Sequence, residues 1–144
     1  MLSKPSGPYG CSGCALESKG IGFAPPTGPV SAPLAVVGEA LGRYEAYAGQ
    51  PFVGPSGSLL NRLLRMLGRD RADLRIANVV SCQPTATNWL DGAPWERAAI
   101  QHCSRYLEPV LAEGHRVVAA LGNTSMRNLL GLPKGKKINM ENFH

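Results

Sequence analysis

The chain has 144 residues, 44% of them hydrophobic, a formal net charge of +5 and a pI of about 9.3. That length buries a real core as one domain, and no apolar run approaches the ~18–20 residues needed to cross a bilayer. The opening Met1-Leu-Ser-Lys-Pro-Ser-Gly-Pro8 has no signal-peptide core, so no membrane partner and a cytoplasmic location are expected, and the basic balance hints modestly at a polyanion.

Residues 1–33 are rich in Gly, Pro and Ser without periodicity, and read as an extended arm that needs an anchor. A metal at Cys11 and Cys14 would supply one. Leu34-Ala-Val-Val37 reads as a buried strand, followed by a glycine-rich junction from Gly38 to Gly57. Ser58 to Leu67 reads as a helix with Leu59, Leu60, Leu63, Leu64 and Leu67 on one face and Gly68 as its stop. Leu74 to Ser81 is a second strand, and residues 83–94 a polar loop. Trp95 to about Glu113 is helical, with Pro109 expected to kink or divide it. Val117-Val-Ala-Ala-Leu121 reads as a third buried strand, and Asn123 to Leu130 as a short helix stopped by Gly131 and Pro133.

Strands alternating with helices predict a mostly parallel sheet in a three-layer α/β/α sandwich. The expected domain is single: an arm over 1–33 and an α/β core over 34–144. The residues after Leu130, with Lys134, Lys136 and Lys137, read as an unfinished connection. The core is therefore expected to lack its C-terminal part, completed by a further segment or a second chain.

Four cysteines occur, Cys11, Cys14, Cys82 and Cys103. In a cytosolic chain a Cys-x-x-Cys pair reads first as a metal or redox site. Four thiolates suit zinc or an iron–sulfur cluster, and spacing does not choose between them. The plainer alternative is two unrelated buried thiols beside an incidental pair.

Ligands of open α/β sheets sit at the carboxyl ends of the strands, where Gly38, Asn78 and Gly122 fall. Gly38 and Gly42 let backbone approach a ligand closely. Glu39 or Glu45 could orient a water, Phe52 could stack on a ring and Asn78 could read a base edge. Each has a plainer reading: Phe52 in the core, Glu45 as a solvated charge, Asn78 satisfying backbone. Neither G-x-G-x-x-G nor G-x-x-x-x-G-K-[ST] is present, which weakens a nucleotide-phosphate loop.

Together, Gly38-Glu-Ala-Leu-Gly42 and Gly49-Gln-Pro-Phe-Val-Gly-Pro-Ser-Gly57-Ser-Leu-Leu60 resemble the first motif of the family 4 uracil-DNA glycosylases, the iron–sulfur type. Asn78-Val-Val-Ser-Cys82-Gln-Pro84, the helix from Glu96 to Cys103, Ala120-Leu-Gly122 and the N-terminal Cys-x-x-Cys are similar to later and earlier parts of that pattern. The resemblance implies a uracil-DNA glycosylase-like fold and hydrolysis of the N-glycosylic bond of flipped uracil in single- or double-stranded DNA, for base excision repair. It implies a structural [4Fe-4S] cluster on Cys11, Cys14, Cys82 and Cys103. It also implies that Phe52 stacks on uracil, Asn78 bonds its edge, Gly38, Glu39 and Gly42 shape the pocket, and Glu45 lies near the attacking water or the developing charge on the sugar.

The chain departs from that pattern in places. Leu41 stands where the family has proline, and Trp89 replaces an arginine in the segment Thr87 to Pro94. No K-R-R-I-H-like insertion and no His-Pro-Ser motif occurs; the histidines are His102, His115 and the last residue, His144. Activity of this stretch alone is therefore expected to be weak. Two alternatives stay open: a catalytically inactive iron–sulfur module that binds DNA or a partner, and a zinc-stabilised domain of unrelated function.

Overall fold

The computed structural model describes residues 10–84 and 94–131. Expectations for Trp89, the lysines at 134, 136 and 137 and His144 lie outside the described residues. Three strands, β1 (Leu34–Gly38), β2 (Leu74–Asn78) and β3 (Val117–Ala120), form one parallel sheet in the order β2-β1-β3. The helices are α1 (Arg43–Ala48), α2 (Pro55–Met66), α3 (Glu96–Leu111) and α4 (Asn123–Leu130), with a single 3-10 turn at Arg71–Asp73 before β2.

The period of two in the strands makes the layers. Val36, paired with Ile76, and Leu74 bury one face of the sheet with Leu64 and the half-buried Leu60 of α2. Val37, paired with Ala77, faces the other way, where Val79, Val80 and Leu16 join Ala99, Leu107 and Val110 of α3. Each such aliphatic side chain contributes roughly 1.5–3 kcal/mol on full burial. The three-layer expectation holds in this arrangement.

Several local expectations are corrected. The glycine-rich junction between Gly38 and Gly57 contains α1, closed by Gly49 at φ 67°, a helix that the sequence reading did not place. Six residues are too few for apolar periodicity to register. Helix α2 begins three residues before Ser58, because Pro55 supplies a first-turn residue whose missing N–H costs nothing there. Its leucines do not share one buried face: Leu64 is buried, Leu67 is 74% exposed, and Leu59 and Leu63 turn toward an open cleft. Helix α3 runs through Pro109 undivided. The proline lies in its last turn, where it forfeits one hydrogen bond while the buried Val110 packs the end down.

β3 is not buried: Val117 is 57% exposed, because β3 is an edge among the described strands. The described part of the N-terminal arm is seated by backbone pairing. It runs antiparallel along β2 and its continuation, with Thr27 bridged to Ile76 and Ile21 to Gln83. Ala24 N–H donates to Ser81 O between them. No helix among the described residues is long and apolar enough to cross a membrane.

Candidate active site

The carboxyl ends of all three strands open onto one cleft of about 920 Å³, within the range of small-ligand sites. Gly38 and Glu39 line it from β1, Asn78 from β2 and Leu121-Gly122 from the end of β3. Gly42 to Glu45 form one wall, and Phe52, Leu59, Leu60 and Leu63 another.

Phe52 and Asn78 meet over Gly38. A Cβ at Gly38 would lie 2.6 Å from the Phe52 ring and 2.5 Å from Asn78 Oδ1, so only glycine permits both side chains to approach the strand end. Asn78 is buried, Phe52 half-buried. At φ 53° Phe52 is the only non-glycine with positive φ among the described residues, a conformation that costs of order 1–3 kcal/mol.

The surroundings hold it there. Arg71 donates from Nη1 to Phe52 O and from Nη2 to Pro51 O, and Nη1 also reaches Asn61 Oδ1 at 3.3 Å. From the opposite side Glu45 Oε1 accepts from Val53 N–H at 3.1 Å and Gly54 N–H at 2.8 Å. Gly57 makes room for the docked loop: a Cβ there would sit 1.9 Å from Phe52 O. Burial lowers the pKa of Arg71, and the charge of Glu45 opposes that shift.

Glu45 is therefore buried and lines the cleft, rather than a solvated charge, and one of its oxygens is committed to backbone amides. Glu39 Oε1 accepts from Thr124 Oγ1 at 2.8 Å, across the cleft floor from the start of α4. Gly42 caps α1, and Leu41 N–H donates to Cys82 O at 3.2 Å, tying the loop to the second strand's continuation.

The cysteines lie on the α3 side of the sheet. Cys14, Cys82 and Cys103 share one buried apolar cluster, and none of the four cysteines is in a disulfide. Leu16 N–H donates to Cys14 Sγ at 3.4 Å. Gly10 O, beside Cys11, is held by His102 Nε2 at 2.6 Å and by Arg105 Nη1 at 3.2 Å. The buried Tyr106 hydroxyl has no hydrogen bond of acceptable geometry, although it interacts with Cys11 and Cys103. Burial first, then those thiols, push its pKa up to about 12.

Among the described residues no three His, Cys, Asp or Glu side chains converge closely enough for a single metal ion. Tetrahedral zinc would need thiolates roughly 3.8 Å apart, from Zn–S bonds of ~2.3 Å. A cubane cluster, each iron taking one thiolate, spreads its ligands wider. The burial, the N–H···S bond and the Tyr106 hydroxyl beside two thiols fit a group held by thiolates.

Arg71, Thr124 and Tyr106 escaped the sequence reading. Arg71 stands among four arginines between Arg62 and Arg71 and looks like solvated surface charge. Its partners lie 19 and 20 residues away. Only the pairing of a bulky residue with a positive-φ turn could have signalled it.

Residues 25–143 match the family model described as the uracil DNA glycosylase superfamily. The type-4 uracil-DNA glycosylase of Archaeoglobus fulgidus is 35% identical over 85% of this chain and 59% of its own length. That of Pyrobaculum aerophilum is 34% identical over 85% of this chain and 60% of its own. That of Thermotoga maritima is 34% identical, over 90% and 64%. The chain thus spans about three fifths of the length of these relatives.

Proposed function

The chain belongs to the uracil DNA glycosylase superfamily, and we propose that it binds uracil flipped out of DNA and hydrolyses its N-glycosylic bond. The observation that carries this reading is the convergence of the Phe52 ring and the Asn78 amide on Gly38 within one cleft. A ring and an amide at right reach of one strand end suit a flat heterocycle: the ring covers a face, worth ~1–3 kcal/mol per base, and the amide pairs an edge.

Extruding the nucleotide costs a few kcal/mol, least for a mispaired base. The bond from C1′ to the base nitrogen then breaks, its electron pair leaving with uracil. Water adds its oxygen to C1′ and yields a proton to solvent or to the departing base. Fixed donors must stabilise the charge on uracil, and the Asn78 side-chain amide supplies one. We assign the orienting of the water to Glu39, a reading supported by its place in the cleft lining and its hydrogen bond from Thr124. Glu45 holds the loop that carries Phe52. The four cysteines would hold a [4Fe-4S] cluster that joins the arm, β2 and α3 structurally.

The test is incubation of the iron-loaded chain with single- and double-stranded oligonucleotides carrying one uracil, followed by alkaline cleavage at abasic sites. Strand cleavage above the matched thymine control is expected. Intact DNA at enzyme excess overturns the hydrolytic reading. Iron and acid-labile sulfide near four each per chain are expected, whereas one zinc overturns the cluster.

One observation favours a second reading, binding without base release. No histidine among the described residues lines the cleft, since His102 is turned to Gly10 and His115 to Ala32 and Glu113. Salt-sensitive binding of uracil-containing DNA that leaves the base in place would establish it.

A further inference from the structure

One backbone group from each of four consecutive residues, Pro51 to Gly54, is taken by two side chains of opposite charge. Arg71 bonds the carbonyls of Pro51 and Phe52, and Glu45 the amides of Val53 and Gly54. In extended backbone, successive peptide groups face opposite ways. One guanidinium can bridge two successive carbonyls only if the residue between them turns both to the same side. Phe52 does so at φ 53°, a conformation a bulky side chain resists.

We propose that Arg71 is a positioning residue for the stacking face: its planar fork fixes the backbone of Phe52 and thereby holds the ring over Gly38. The proposal rests on the reading of Phe52 as the base-stacking residue. A plainer role for Arg71, a phosphate contact, finds little support. Nη1 is engaged by Phe52 O and Asn61 Oδ1 and Nη2 by Pro51 O, so its terminal nitrogens already face inward. Lysine cannot replace it, because an ammonium is a point charge without the fork.

The experiment uses the isotopically labelled full chain and two NMR readouts: nuclear Overhauser contacts from the Phe52 ring to Gly38 Hα, and titration with free uracil. Urea midpoints are followed alongside. In Arg71→Ala the Phe52–Gly38 contact is expected to vanish and uracil affinity to fall tenfold or more, while the β1–β2 contacts persist. Arg71→Lys is expected to restore neither fully. Should Arg71→Ala fail to fold, Arg71→Lys and Asn61→Ala carry the same two readouts.

A ring contact retained in Arg71→Ala, with affinity within twofold, overturns the proposal and leaves the base-stacking reading standing. Full restoration by lysine overturns the fork. Loss of the contact in a chain whose wild type binds no uracil supports the positioning role and overturns the base-stacking reading instead.

Discussion

Glu45 and Gly54 are joined by a 2.8 Å hydrogen bond in which a buried carboxylate accepts from a backbone amide nine residues away. The same oxygen accepts from Val53 N–H, so this side chain closes the loop that precedes α2. Hydrogen bonds to an ionised acceptor contribute ~1.5–3 kcal/mol each. Glu45→Ala is expected to cost about 2–4 kcal/mol of unfolding free energy, measured by urea titration. Glu45→Gln, which keeps an acceptor oxygen, should cost about half as much or less. If Glu45 instead served only to activate water, both variants would unfold at the wild-type urea concentration and lose activity alone.

Gly38→Ala should separate binding from stability. The added methyl meets the Phe52 ring at 2.6 Å and Asn78 Oδ1 at 2.5 Å. Both obstacles are side chains that can swing aside into the cleft. Overpacking of this kind costs ~1–3 kcal/mol, so the melting temperature should fall by several degrees. Uracil binding, read by NMR titration, should weaken by at least tenfold, since the displaced ring and amide no longer share the strand end.

Tyr106→Phe should act oppositely in the two loading states. A buried hydroxyl whose neighbours are weakly bonding thiols recovers little of the hydration it loses on folding. In metal-free chain its removal is therefore expected to be neutral or stabilising by up to about 1 kcal/mol in urea titrations. In iron-loaded chain the hydroxyl gains thiolate sulfur to donate to, and its removal should speed oxidative bleaching of the cluster absorbance. A tyrosinate titration followed in the ultraviolet should show one group ionising near pH 12 that is absent from the variant.

Acid should weaken the seam between the arm and the end of α3. Glu113 binds Arg75 through both oxygens, at 2.7 and 2.9 Å, and His115 Nε2 at 2.8 Å, while Arg75 also reaches Gly28 O at 2.9 Å. The Arg75 hydrogen bonds, ahead of the opposing effect of burial and the help of His115, hold the Glu113 carboxyl below its ordinary value of 4.5. A depressed folded-state pKa gives stability that is fully present above the unfolded value and lost as pH falls through the folded one. Unfolding free energy should therefore decline as pH drops below about 4.5. In Glu113→Gln that decline should be shallower, as measured by urea midpoints from pH 6 to pH 3.

The sequence carried the sheet well because β1 is a short, continuous apolar run and β2 places Leu74, Ile76 and Ala77 in its core, and α4 fell at Asn123–Leu130 as expected because Gly122 and Gly131 bracket it. Gly38 and Asn78 were legible as residues of one rim from their place at strand ends, and both line the cleft. What stayed hidden depended on partners distant in the chain. The exposure of Val117 is set by which strands flank β3, and the antiparallel seating of the arm by backbone groups that carry no residue-specific signal. The leucines of α2 look alike in a periodic count. Leu59 and Leu63 nonetheless face a cleft that exists only once α1 has folded opposite them.

The stretch from Ile76 to Gln83 has a consequence for how injury spreads. It carries Asn78 at one end and Cys82 near the other, and the arm is laced along its outer edge by bridges at both extremities. Oxidation of a cysteine that unlaced the arm would strip that edge alone, because Val79 N–H to Gly38 O and Val80 N–H to Glu39 O still bind the ribbon to the end of β1. Injury on the arm side would thus stop at the ribbon and leave Asn78 in register beside Gly38.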